Sequence, residues 1–181
     1  MNKSKLAHFA NAMYEKKSLE YVNKKLGSGW KLDKSNSKVD SKVFIHLIQK
    51  VVVIAFRGTV TMKDVKDDVS IITSREYKND RWKKARKLVK KMNEKYKDFK
   101  IYVTGHSLGG SLAEFSSRGT GNETVGYSRG NLKIKQKIKN PNYTDVFNKF
   151  DPISTLVQTH KGKSKQKKTK NLNKHSVANF L

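Results

Sequence analysis

Ile101-Tyr-Val-Thr-Gly-His-Ser-Leu-Gly-Gly-Ser-Leu-Ala-Glu-Phe115 is the stretch on which the reading of the fold depends. A β-branched, apolar run (Ile101, Tyr102, Val103) meets Gly105-His106-Ser107-Leu108-Gly109, and apolar residues then recur at helical spacing (Leu108, Leu112, Phe115). G-x-S-x-G between a strand and a helix is the context that makes the motif a nucleophile elbow. Gly105 and Gly109 suit a turn so sharp that neighbouring backbone passes close to it. Ser107 then stands at the tip. A serine hydroxyl is a weak nucleophile at neutral pH, so it calls for a base, an acid to orient that base, and donors for the developing oxyanion.

Working outward, Val43–Ile48 and Val51–Phe56 are extended runs separated only by Gln49-Lys50, which predicts an antiparallel hairpin. The second run is apolar throughout, as a strand covered on both faces should be, and it ends in Arg57-Gly58-Thr59. Residues 4–26 carry apolar positions at helical spacing, with Ser18 as the cap of a second helix. Trp30 and Leu32 mark a short apolar return, and Asp33–Ser41 reads as a loop. Residues 61–72 are charged and weakly helical, and a clearer helix runs from Arg81 to Tyr96 with one densely basic face. Strands are expected near Glu123–Ser128 and over Tyr143–Phe150, the latter ending at Asp151-Pro152. Lys161–Lys174 holds seven lysines and no acid, the composition of a solvated, mobile loop. The closing segment His175–Leu181 is apolar enough to dock back on the body.

Length predicts one domain over residues 1–181. The fold class is α/β: a small α/β-hydrolase with a mostly parallel central sheet flanked by helices, an N-terminal helical segment and a basic C-terminal tail. The 40 Lys and Arg against 15 Asp and Glu give a net charge of +25, a field that favours nucleic acid, anionic membrane or acidic polymer but says nothing about fold. The absence of cysteine excludes a disulfide framework and a cysteine metal site. No signal peptide and no stretch near the ~20 apolar residues of a membrane span are evident, so a cytoplasmic or virion-associated location is expected.

The base for Ser107 must be one of five histidines. His8 lies in the first helix, His46 inside a strand, and His106 in the elbow itself, badly placed to reach the hydroxyl beside it. That leaves His175 or His160. The chain order in this fold is Ser, then Asp or Glu, then His. Asp151, just past a late strand, is the candidate acid, and Asp145, inside that strand, is a weaker one. His175, after a long loop and before an anchoring apolar segment, is the preferred base, with His160 as the alternative. Leu108 N–H, at the start of the new helix, is one oxyanion donor, and Thr59, in the loop after the apolar strand, is the second.

Val52-Val-Ile-Ala-Phe-Arg-Gly-Thr59 and Val103-Thr-Gly-His-Ser-Leu-Gly-Gly-Ser-Leu-Ala113 resemble the oxyanion strand and the elbow of the class 3 (fungal-type) lipase family of α/β-hydrolases. Asp64 and Asp68 with Val69 resemble its lid segment, and Asp151-Pro-Ile-Ser154 also fits. The similarity covers about residues 28–155. It departs at Val65, where the family often has an aromatic, and at Gly126-Tyr-Ser-Arg-Gly130, which lacks the family's proline. The resemblance implies hydrolysis of triacylglycerol, phospholipid or a related ester by the serine mechanism, without metal or cofactor. The expected partner is a lipid ester, held at an anionic membrane surface where each basic residue adds about 1 kcal/mol of attraction. A different reading is a basic nucleic-acid- or virion-associated structural protein on a hydrolase fold, using the lysines of 81–100 and 161–174.

Overall fold

The computed structural model describes residues 1–58, 80–128, 140–148, 163–167 and 176–181. Among these, seven strands form one sheet whose spatial order is the chain order: β1 (Trp30–Leu32), β2 (Ser41–His46), β3 (Val51–Phe56), β4 (Lys100–His106), β5 (Glu123–Tyr127), β6 (Tyr143–Asn148) and β7 (Lys163–Lys167). The first two pairings are antiparallel and the four from β3 to β7 are parallel; the expected hairpin of β2 and β3 is present, but its turn spans residues 47–50, so Leu47 and Ile48, expected in the strand, lie exposed in the turn. The mostly parallel α/β sheet is therefore borne out.

Because the parallel strands follow one another in space, right-handed crossovers put their helices on a single face. There α3 (Asp80–Lys95) packs on α4 (Leu108–Ser116), with Trp82 against Phe115 at 5.1 Å between ring centroids. Trp82, Ala85, Val89 and Met92 recur at helical spacing and are buried, while the intervening lysines stay in water. The opposite face needs its own cover, and α1 (Lys3–Ala12) and α2 (Ser18–Leu26) supply it: Leu6, Phe9, Met13 and Val22 meet Phe44, Val53, Ala55 and Tyr102. Strand β3 feeds both layers by alternation, Val52, Ile54 and Phe56 to one face and Val53 and Ala55 to the other. Each such buried side chain is worth roughly 1.5–3 kcal/mol, which is why its sequence carries no polar residue.

Three further expectations change in detail. Ser18 is the first residue of α2, buried, with Lys17 at the cap position and no side-chain cap bond. The loop from Asp33 to Ser41 contains a short 3-10 turn, Lys34–Asn36. Lys163–Lys167, expected as solvated loop, is β7, paired in parallel with β6 from Thr144↔Lys163 to Asn148↔Lys167. A ladder is made by backbone groups, so a strand at the end of a sheet tolerates lysines that a central strand would not.

Candidate active site

One register row, Phe56↔Gly105↔Gly126↔Asp145, crosses β3, β4, β5 and β6, so the carboxyl ends of these four strands share one edge of the sheet. Ser107 sits on that edge between the last residue of β4 and the first of α4. Its backbone has φ 56° and ψ −127°, a conformation that costs a non-glycine residue about 1–3 kcal/mol and persists only where the surroundings enforce it. The enforcement is visible. Ser107 N–H donates to Tyr127 O at 2.9 Å, and Ser107 O accepts from Gly110 N–H at 2.9 Å and Ser111 N–H at 3.3 Å. Gly105 faces Gly109 so closely that a Cβ on Gly105 would lie 2.3 Å from the Gly109 carbonyl. The elbow read from the sequence, with Gly105, His106 and Gly109 around Ser107, is present as a strand–turn–helix. Leu108 opens α4, where N–H groups lack intrahelical acceptors and the helix end is positive.

The turn leaving β3 presses against this elbow. A Cβ on Gly58 would lie 2.4 Å from His106 O and 3.2 Å from Ser107 Cβ. Arg57-Gly58 is pinned on three sides: Arg57 N–H donates to Asp40 O at 2.9 Å, Arg81 donates to Arg57 O, and Gly58 N–H donates to the Tyr14 hydroxyl at 3.1 Å. The same hydroxyl lies 3.4 Å from His106 Nδ1, and the Arg57 guanidinium lies over the Tyr14 ring at 5.7 Å. Burial raises the Tyr14 pKa, against the Gly58 bond and the charges of Arg57 and Arg81, which pull it down, so the phenol stays protonated at neutral pH. Tyr14 thus ties α1, the β3 exit and the elbow together. Sequence reasoning missed it, and Arg81 with it, because nothing in the spacing of residue 14 sets it apart from its helical neighbours.

Three of the five histidines lie in the described residues. His8 Nδ1 meets Tyr21 OH at 3.0 Å, His46 Nδ1 accepts from Gln49 N–H at 3.3 Å and packs on Trp30, and His106 meets Tyr14. Thr59, Asp151, His160 and His175, and the lid-like residues 61–72, lie outside the described residues. Their described flanks are informative. Strand β6 ends at Asn148 on the edge that carries Ser107. Val177 and Phe180, in the 3-10 turn Val177–Phe180, are buried in the α1 cluster, with Phe180 5.3 Å from the ring of Tyr127, the residue whose carbonyl accepts Ser107 N–H. Asp145 is buried within β6. Among the described residues no group of three His, Cys, Asp or Glu is placed to hold a metal, and no helix is long and apolar enough to cross a membrane.

The phospholipase-like family, described as a Tle-like phospholipase domain, matches residues 8–177. No curated protein matches the chain in sequence. Among solved structures, the chain is similar to MDLA from Penicillium cyclopium, with TM-score 0.63 and 16% identity, covering 97% of this chain and 82% of that one. It is similar to the lipase from Rhizopus microsporus var. chinensis, with TM-score 0.62 and 16% identity over 98% of this chain and 84% of that one. It is also similar to lipase II from Rhizopus niveus, with TM-score 0.59 and 17% identity over 92% and 79%. At such identities the likeness establishes a shared fold.

Proposed function

The chain belongs to the phospholipase-like family with a Tle-like phospholipase domain, and from that premise we propose that it cleaves the carboxylic ester bonds of lipids through Ser107, His175 and Asp151. That it is a lipid ester hydrolase follows from the family; the assignment of residues to roles is the proposal. Ser107 Oγ attacks the ester carbonyl while His175 takes its proton, and Asp151 orients the imidazole. Leu108 N–H and Thr59 N–H hold the tetrahedral oxyanion. The alkoxide leaves with the proton from His175, and water, activated by the same histidine, then releases the fatty acid from Ser107.

The observation that carries this reading is the strained Ser107 with the β3 exit turn pressed against it at Gly58, the residue before Thr59 in the chain. The docked Val177 and Phe180 favour His175 over His160, because Val177, two residues after His175, is buried in the core and Phe180, five residues after it, packs on Tyr127. A family match over residues 8–177 supports taking the whole chain as one domain.

The test is labelling with a fluorophosphonate, together with release of fatty acid from a phospholipid. Wild type should label, Ser107→Ala should not, and His175→Ala should lose at least a hundredfold in labelling rate. Labelling kept in His175→Ala and lost in His160→Ala would transfer the base to His160. An unlabelled wild type would reject the serine mechanism.

A further inference from the structure

The outer face of α3 carries a row of cations that the rest of the described protein leaves unanswered. Trp82, Ala85, Val89 and Met92 turn inward, and every exposed position from Lys83 to Lys91 is basic: Lys83, Lys84, Arg86, Lys87, Lys90 and Lys91. Glu94 stands 4.0 Å from Lys90 with both side chains mostly in water, a screened and weak contact, and Lys95 is held by Asp33. Lys83, Lys84, Arg86, Lys87 and Lys91 pair with no acid among the described residues. Lys83, Lys87 and Lys91 follow one another at four-residue spacing, where like charges repel and weaken the helix that bears them. The row also extends sideways, because Lys38 shares with Lys84, Lys87 and Lys91 an open groove of about 280 Å³ beside the helix. Asp40, the acid of that groove, accepts from Ser41 Oγ at 3.2 Å.

Where the row lies decides what it fits. Helix α3 starts at the sheet edge that carries Ser107, with Arg81 donating to Arg57 O. The chain after it re-enters the sheet at the opposite edge, where Lys100 N–H donates to Lys50 O at 2.8 Å. From Lys83 to Lys95 the cations therefore run about 18 Å along the flank, at about 1.5 Å per residue. A bilayer offering its lipid to Ser107 lies at one end of this row, and salt screens charges beyond about 8 Å, so only the first turn would feel it. The outer face also lacks an apolar anchor: the exposed large apolar side chains of the described residues are Val39, Leu47, Ile48 and Leu181, none of them on α3. A rod of phosphates laid along the helix meets the whole row, since a nucleic-acid duplex carries one charge per about 1.7 Å of its axis. A single strand is gripped by aromatic platforms, and the aromatic of α3, Trp82, is buried against Phe115.

We propose that the outer face of α3, with Lys38 beside it, binds the phosphate backbone of a nucleic-acid duplex, as an activity separate from ester hydrolysis. Lysine meets phosphate as a point charge, so these contacts hold a duplex without reading its bases. Each contact releases counterions from the duplex, which makes the binding steeply dependent on salt. Ser107 takes no part in it.

The test is fluorescence anisotropy of a labelled DNA duplex of mixed sequence, and of a scrambled counterpart, titrated with the full chain at several salt concentrations. Wild type should bind both duplexes alike. The triple variant Lys84→Gln, Lys87→Gln, Lys91→Gln should lose about tenfold or more in affinity and reduce the log–log salt slope by about 2–3. Lys84→Arg, Lys87→Arg, Lys91→Arg should keep both. Removing the same charge from the other face of the sheet, with Lys16→Gln, Lys24→Gln, Lys25→Gln, should leave the affinity close to wild type. All six positions are exposed, so an unchanged melting temperature in each variant confirms that only charge was altered. Equal losses in the two glutamine triples overturn the proposal, because net charge alone then accounts for binding. So does oligothymidine bound more tightly than the duplex. So does adsorption to phosphatidylglycerol vesicles that falls in the α3 glutamine triple while duplex binding does not, which gives the surface to a membrane. Ser107→Ala should bind the duplex as wild type does, so failure of the hydrolase reading shows separately, as an unlabelled wild type in the fluorophosphonate experiment.

Discussion

Gly58→Ala separates two physical accounts of the β3 exit by the sign of its effect. Gly58 does not adopt a left-handed backbone, so on conformational grounds alone alanine would stabilise the fold by about 0.4–1 kcal/mol through the unfolded chain. The packing says the opposite. The new Cβ would sit 2.4 Å from His106 O, 2.8 Å from the Tyr14 hydroxyl and 3.2 Å from Ser107 Cβ. The first is a backbone atom of the elbow, which is itself locked by the Ser107–Tyr127 bond and by Gly105 against Gly109, so no flexible side chain can give way. The turn must move instead, at a cost of about 1–3 kcal/mol for overpacking plus about 1 kcal/mol for the Gly58–Tyr14 bond. For a domain of this size that lowers the melting temperature by roughly 4–16 °C. If Thr59 N–H is an oxyanion donor, as proposed, moving the residue before it should also cost about a hundredfold or more in kcat. Calorimetric melting and hydrolysis of a short-chain ester measure both. A Gly58→Ala protein as stable as wild type, with unchanged kcat, would refute the contact between the exit turn and the elbow.

Ser107→Gly should raise stability by about 1–2 kcal/mol by relieving the strained backbone while abolishing activity, whereas Ser107→Ala should abolish activity with no such gain; denaturant unfolding of the pair distinguishes them. Tyr14→Phe leaves Gly58 N–H without its acceptor and removes the hydroxyl that faces His106, and should cost about 1–3 kcal/mol by urea unfolding and lower kcat more than it changes KM. Asp33 is pushed up by burial but held below the usual carboxylate range on balance, by its bonds to Lys95, Ser35, Asn36 and Tyr96. Its folded pKa lies below the unfolded one, so its contribution is fully present above about pH 4 and is lost as the pH falls through that range. Asp33→Asn should therefore cost about 2 kcal/mol at pH 7, and the gap from wild type should close on acidification.

Local signals in the chain were strong where one residue type can do only one thing. The unbroken apolar run of β3, the Gly105–Gly109 frame around Ser107, and the spacing of Trp82, Ala85, Val89 and Met92 are each dictated by burial or by close approach, so each was legible without coordinates. The strand at Lys163–Lys167 was not, because backbone pairing at the end of a sheet leaves no pattern in side chains. Ser18 misled for the opposite reason: a good capping residue was placed one position inside the helix, where it is buried.

The sequence alone determined that a serine would stand at a strand-to-helix turn and that the sheet would be mostly parallel, since these follow from local sterics and periodicity. Only the tertiary structure decided what presses on that serine. Gly58 and Tyr14 are 49 and 93 residues away from Ser107 in the chain, and they meet it because the β3 exit and the end of α1 converge on the sheet edge that carries the elbow. The same convergence places Lys42 beside Arg57, a like-charge neighbourhood that no linear spacing announces, because cross-strand register is set by the burial of whole faces rather than by the two residues themselves.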